Sequence, residues 1–230
     1  MNMFKTELHL HTTEVSQCSH SPTELTVQRY IEAGYTTVVV TNHLSPWTRR
    51  PDPAKVPTWD EKLAYFFEGV EIFREAAGGK LNVLAGVEFR FNDSDTNDYL
   101  VHGLGKEFWL AHPELPAMKV KDLSAIVREA GGLLYQAHPF RNSMTVTNPA
   151  LLDGIEIYNG HVGHDSRNDI AALWAKKFNL KTISGSDYHD ATSNIGGGIL
   201  TEEPITTIEQ LVDILRSEKY ELIRSDAVIY

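Results

Sequence analysis

Short β-branched and apolar runs alternate with amphipathic helical stretches along the chain, and this alternation narrows the possible folds more than any other feature. Residues 6–11 read as a short strand ending in polar residues. Ser21-Pro22-Thr23-Glu24 carries a helix-start pattern, Leu25, Tyr30 and Ile31 give that helix an apolar side, and Gly34 closes it. Residues 36–41 form a β-branched run typical of a buried strand. The same reading predicts helices over about 59–77, 123–130, 171–178 and 208–217. It predicts further strands over 81–88, 99–104, 132–138, 154–158, 180–184 and 220–223. Repeated strand–helix units favour a parallel sheet with right-handed crossovers, open or closed as a barrel. In both architectures chemistry collects where strands end and loops begin.

With 230 residues and 42% hydrophobic content, the chain suits one α/β domain spanning 1–230. Its 21 basic and 31 acidic residues give a net charge of −10, which argues against a broad nucleic-acid footprint. Bound divalent cations reverse the local sign, so a small phosphorylated substrate stays compatible with an acidic protein. Cys18 is the only cysteine and rules out an internal disulfide. No apolar run is long enough to span a bilayer, and the first residues lack a signal-peptide pattern. A soluble cytoplasmic protein is the expectation, with oligomeric state left open. Trp47 to Val56, with two prolines and two arginines, reads as a mobile surface loop whose Arg49 and Arg50 could cover a substrate.

His9-Leu10-His11 sets two imidazoles at i and i+2 on a strand, so both face the same side. An isolated pair of this kind is weak evidence. The pattern recurs, however: His43, Glu88 and His138 each end a predicted strand, and Asp187 with His189 follow another at the same i, i+2 spacing. Imidazoles mixed with carboxylates suit borderline divalent metals such as zinc, manganese or iron, whereas calcium takes oxygen ligands. Clustered metals polarise a phosphoryl oxygen, lower the pKa of a bound water and stabilise a leaving oxygen. Neither a GxSxG nor a P-loop pattern is present.

Glu7-Leu8-His9-Leu10-His11-Thr12, Thr41-Asn42-His43, Gly86-Val87-Glu88, Ala137-His138-Pro139 and Gly185-Ser186-Asp187-Tyr188-His189 resemble, in order, the motifs of the PHP (polymerase and histidinol phosphatase) family. The resemblance runs from His9 to about Gly198. It implies an α/β fold, a distorted (β/α)7 TIM-like barrel, holding two or three divalent ions at the C-terminal ends of its strands. It also implies hydrolysis of a phosphate ester by a metal-activated water. On this resemblance His9, His11, His43, Glu88, His138, Asp187 and His189 fall at metal-ligand positions. Two positions depart from the family pattern. Ser16 stands near the place of an Asp, so Glu14 or His20 could substitute, with Glu14 favoured as nearer the strand end; Cys18 reads instead as a small buried thiol. Asn42 stands where Asp usually orients a ligating histidine. A further family ligand falls at either Asp98 or His102.

Arg141 could clamp a phosphate, since a guanidinium pairs bidentately with such anions. Asn159 and His161 follow another strand, and His161 could protonate a leaving alkoxide. His164 is expected on the following helix, and His112 in a loop. The expected activity is that of a metal-dependent phosphatase or phosphodiesterase. An amidohydrolase is the alternative enzyme class, though its usual bridging lysine has no counterpart here. A degenerate, non-catalytic metal-binding module is the third reading, resting on Ser16 and Asn42.

Overall fold

The computed structural model describes residues 3–46, 48, 52, 54–92 and 96–225. In chain order the elements are β1 (Phe4–Leu10), α1 (Thr23–Glu32), β2 (Tyr35–Val40), β3 (His43–Leu44), α2 (Trp59–Ala77), β4 (Asn82–Ala85) and β5 (Val87–Phe89). They continue with β6 (Tyr99–His102), α3 (Lys106–Ala111), α4 (Val120–Glu129), β7 (Leu133–Gln136), β8 (Gly154–Asn159) and α5 (Asn168–Phe178). The last are β9 (Lys181–Gly185), β10 (Ile199–Thr201), α6 (Ile208–Ser217) and β11 (Glu221–Leu222). Local chemistry sets several bounds. Thr58 and Glu61 form a capping box at the start of α2, and Gly78 ends it in the left-handed region at φ 55°.

Two pairs of short strands act as single broken staves. β2 passes through Thr41 and Asn42 into β3, and β4 passes through Gly86 into β5. A side chain at Gly86 would sit 2.9 Å from both Thr41 Cγ2 and Val39 Cγ1, so the adjacent stave leaves room only for glycine. β1, β2 and β4 are parallel neighbours, as are β3 with β5 and β7 with β8 and β9. A parallel bridge from Leu10 to Tyr188 brings β1 against the chain that leaves β9. The staves thus close into the distorted TIM-like barrel, with β10 and β11 added along the N-terminal half of β1.

The all-parallel expectation fails at one stave. β6 runs antiparallel to both β5 and β7. Only residues 90–98 separate β5 from β6, fewer than a parallel crossover needs, and so short a connection yields an antiparallel pair. The helix α3 and the strands β3 and β10 are also additions to the sequence-based expectation. In α1 the buried side is made by Val27 and Tyr30, while Leu25 is exposed.

Leu8, Val39, Leu100, Tyr135 and Ile183 belong to the inner hydrophobic cluster, which Leu211, Val212 and Leu215 of α6 join. A larger cluster between staves and outer helices includes Phe66, Phe73, Leu123 and Ala171. Full burial of one such large apolar side chain contributes roughly 1.5–3 kcal/mol. Among the described residues, no helix is long and apolar enough to cross a membrane.

Candidate metal centre

β1 delivers His9 to the barrel mouth, with His11 just beyond it. His43 begins β3, Glu88 lies in β5, and His138, Asp187 and His189 follow β7 and β9. Their side chains meet. The Glu88 carboxylate touches four imidazoles: Oε1 lies 3.2 Å from His138 Nε2 and 3.4 Å from His9 Nε2, and Oε2 lies 2.7 Å from His43 Nδ1 and 3.2 Å from His11 Nε2. Asp187 Oδ1 lies 3.3 Å from His9 Nε2, 3.2 Å from His11 Nε2 and 3.4 Å from His189 Nδ1. Glu88, His9 and His11 are buried, as are His138, Asp187 and His189. His138 and Asp187 hold left-handed backbone at φ 28° and 48°, a costly conformation for residues other than glycine and one that concentrates at functional sites.

Hydrogen bonds behind the rings decide which nitrogens face the centre. His9 Nδ1 is 2.9 Å from Glu156 Oε1, which leaves Nε2 toward the cluster. Ser16 Oγ donates to Asn42 Oδ1 at 2.9 Å and so accepts from His11 Nδ1 at 3.1 Å, again leaving Nε2 inward. The two Nε2 atoms then stand 3.1 Å apart with carboxylate oxygens around them. Two lone-pair nitrogens at that separation need a cation or a shared proton between them. Burial opposes a charged His9 ring, yet Asp187, Glu156 and Glu88 together push its pKa well above the usual histidine value. Burial likewise opposes charge on Glu88, and His43 and His9 outweigh it, holding that carboxyl well below its normal range.

Among the described residues, four sets of three groups have ligand atoms within 4.8 Å of one another: His11, His43 and His189; His9, His138 and Asp187; His9, His11 and Glu88; and His43, Glu88 and Asp98. This mixed nitrogen and oxygen donor set fits two or more borderline divalent metals.

The remaining candidates divide. Asp98, at the start of the reversed β6, comes to the cluster, whereas His102 lies buried four residues further along that strand and in none of these sets. Because β6 is antiparallel, its beginning reaches the site, and four residues of extended chain carry His102 about 13 Å away. Glu14 turns instead toward α1, where its Oε1 accepts from Thr23 Oγ1 at 2.5 Å. His20 is exposed on the rim of a cavity of about 540 Å³ above the cluster. Cys18 is not the buried thiol expected; the loop after β1 crosses the barrel mouth and leaves Cys18 exposed on the same rim. Partial burial disfavours its thiolate, but hydrogen bonds with His189 and His43 bring the thiol down to about 6.

Arg141 and His161 line this cavity, and so does His164, which sits in the loop before α5 and not on that helix. His161 and His164 stack at 4.5 Å with planes 6° apart. Burial holds His161 down to about 4, so its ring is neutral at pH 7. The Gly163 amide donates to His161 Nδ1 at 2.8 Å, which puts the ring proton on Nε2. A neutral Nε2–H can donate a hydrogen bond to a substrate oxygen. Asn159 braces the site rather than facing substrate: its Nδ2 donates to Glu156 Oε2 at 2.9 Å and Asp187 Oδ2 at 3.0 Å, and its Oδ1 accepts from His161 N and Ser166 Oγ. Arg49 and Arg50 lie outside the described residues.

Glu156 and Glu7 escaped the sequence reading. Glu156 Oε2 also accepts from the His138 backbone N at 2.9 Å. Glu7 Oε1 accepts from His9 N at 3.0 Å and Ser186 N at 2.9 Å, tying β1 to the Asp187 turn.

No protein-family model matches this sequence, and no curated protein matches it either. Solved structures do. PsfC from Pseudomonas syringae superposes with TM-score 0.69 at 16% identity, over 98% of this chain and 93% of that one. A two-domain protein from Bacteroides vulgatus, containing a predicted PHP-like metal-dependent phosphoesterase, gives 0.64 at 15% identity, over 97% of this chain and 65% of that one. The lesion-specific endonuclease PfuEndoQ from Pyrococcus furiosus gives 0.63 at 12% identity, over 96% and 58%. This chain therefore spans less than two thirds of the Bacteroides and Pyrococcus proteins. Its fold is the distorted barrel of PHP-like phosphoesterase structures, and that fold carries a buried His/Asp/Glu cluster.

Proposed function

We propose that this chain is a metal-dependent phosphoesterase acting on a small phosphorylated metabolite or nucleotide. The observation that carries the reading is the facing of His9 Nε2 and His11 Nε2 at 3.1 Å, between Glu88 and Asp187. His9, His11, His43, Glu88, His138, Asp187 and His189 would hold two or three divalent ions such as zinc, manganese or iron. When bound, such ions supply Lewis acidity toward the phosphoryl group and a water nucleophile usable at neutral pH.

The chain's own groups do the rest. Arg141 offers its guanidinium to the phosphate from the cavity wall. His161 presents Nε2–H to the leaving oxygen, and Asn159 keeps Glu156 and Asp187 in place as a positioning residue. A cavity of about 540 Å³ suits a small molecule, and the charge of −10 disfavours a long nucleic acid. The amidohydrolase alternative lacks its bridging lysine: among the described residues, none that lines the cavity is lysine. With one cysteine and no membrane-crossing helix among the described residues, we place the reaction in the cytoplasm.

Elemental analysis of the purified protein, followed by turnover of a panel of phosphomonoesters and phosphodiesters, tests the proposal. Bound metal and metal-dependent hydrolysis, lost in His138→Ala and Asp187→Ala with folding kept, are the expected results. A folded protein without metal, or full activity in both variants, would overturn it.

A further inference from the structure

Arg90 leaves the barrel two residues after Glu88, and Arg141 follows three residues after His138. Both side chains return to the wall of the cavity above the cluster. They converge on one buried carboxylate. Arg90 donates Nε to Asp98 Oδ1 at 2.6 Å and Nη2 to Asp98 Oδ2 at 2.5 Å, and Arg141 Nη2 donates to the same Oδ2 at 3.4 Å. The arginine side chains are 17% and 25% exposed, so each is largely desolvated yet open to the cavity.

Two guanidinium groups against one carboxylate leave the Arg90–Asp98–Arg141 group with a net positive charge, within a protein of net charge −10. Asp190, on the same rim, keeps its charge and is turned toward Thr192, whose N and Oγ1 both donate to its Oδ1. Resting on the phosphoesterase reading above, we infer that Arg90 and Arg141, bracketed by Asp98, form an anion subsite that selects a terminal phosphomonoester over a phosphodiester.

The chemistry of the two esters separates them here. A terminal phosphate carries nearly two charges at neutral pH and three non-bridging oxygens, enough to engage two planar forks; a diester carries one charge and two such oxygens. Asp98 holds the Arg90 fork at the wall before the substrate arrives, so little of that side chain's freedom is lost on binding. The doubly anchored Arg90 is the fixed half of the pair. Among the described residues Arg141 makes one longer hydrogen bond to Asp98, and it is the half that turns toward the anion.

The test uses the metal-loaded full chain. Turnover of p-nitrophenyl phosphate and bis-p-nitrophenyl phosphate is compared in wild type, Arg90→Lys, Arg90→Met and Arg141→Met. Inorganic phosphate affinity is read by calorimetry, and metal content by elemental analysis. Wild type should favour the monoester. Arg90→Met should weaken phosphate binding about tenfold or more, the scale of one lost charge-assisted contact, and raise the monoester KM with metal content kept. Arg90→Lys, which keeps the charge and loses the fork, should fall between; with Arg141→Met it carries the test if Arg90→Met fails to fold. A wild type that prefers the diester overturns the subsite, as does unchanged phosphate affinity in the variants. Phosphate affinity that falls only in step with lost metal overturns it too, because Arg90 would then serve Asp98 and the cluster alone. If wild type hydrolyses neither ester, the phosphoesterase reading fails, and calorimetry still decides the subsite: arginine-dependent phosphate binding supports it and arginine-independent binding overturns it.

Discussion

Glu156 Oε1 accepts a hydrogen bond from His9 Nδ1 at 2.9 Å, and this contact decides which nitrogen of His9 faces the cluster. The other oxygen, Oε2, accepts from the backbone N of His138 at 2.9 Å and from Asn159 Nδ2 at 2.9 Å. One carboxylate therefore orients a ring on β1 and anchors the turn after β7. Glu156→Gln replaces one acceptor oxygen by an amide donor. In either orientation of that amide, an N–H meets another N–H. Metal affinity should fall about 10- to 100-fold, the usual effect of losing a group that orients a ligating histidine. Competition with a chromogenic chelator measures it, and an unchanged affinity in the folded variant would remove Glu156 from this role.

Ser16 and Asn42, the two departures from the resembled pattern, act as one unit. Asn42 Oδ1 accepts from Thr12 N at 2.7 Å and from Ser16 Oγ at 2.9 Å, and Ser16 Oγ in turn meets His11 Nδ1 at 3.1 Å. Neither residue needs to bind metal for the pair to matter. Ser16→Ala should free His11 to change tautomer and weaken metal binding about tenfold or more. It should also cost roughly 1–3 kcal/mol in a urea melt, because buried polar groups lose a partner. Wild-type affinity and stability in this variant would show the chain Asn42–Ser16–His11 to be incidental.

The alternation of strands and helices, and the recurrence of His, Glu and Asp where parallel strands end, made the barrel and most of the cluster legible before the structure. Two physical facts were not legible. The reversal of β6 moves its active end from His102 to Asp98, and local sequence carries the turn but not the direction of pairing. Glu156 lies among apolar neighbours in Gly154-Ile155-Glu156-Ile157-Tyr158, which reads simply as strand. Its value comes from a register shift between Glu156 and Tyr158 against β9 and from a partner 147 residues away, and neither leaves a local signal. Arg90 is similar: its role depends on Asp98 across the β5–β6 connection.

Metal withdrawal should destabilise the protein without unfolding it. The apolar clusters are built by residues other than the ligands, so the barrel has its own source of stability. A ligand present at a hundred times its dissociation constant adds about 2.7 kcal/mol. For a domain of this size that corresponds to a Tm rise of roughly 5–10 °C. Chelation followed by calorimetry should show that drop, and re-addition of zinc, manganese or iron should restore it. A Tm indifferent to chelator and to added metal would mean that the facing nitrogens of His9 and His11 hold only a proton.

His102, buried outside the ligand sets, supplies a pH test. It is fully buried, and neither ring nitrogen has a hydrogen-bond partner among the described residues. Burial, helped by the charge on His9, lowers its pKa to about 3 from an unfolded value near 6.5. Between those values the unfolded chain binds a proton that the folded chain refuses, so stability rises with pH and is lost as pH falls from 6.5 toward 3. By pH 4 the loss from this one residue should be roughly 3 kcal/mol. His102→Phe keeps an apolar ring of similar shape and cannot take the proton. Urea melts at pH 7 and pH 4 should therefore show a smaller acid loss in the variant than in wild type, by about that amount. Equal losses in the two proteins would mean that the barrel interior opens enough to hydrate His102 before it is protonated.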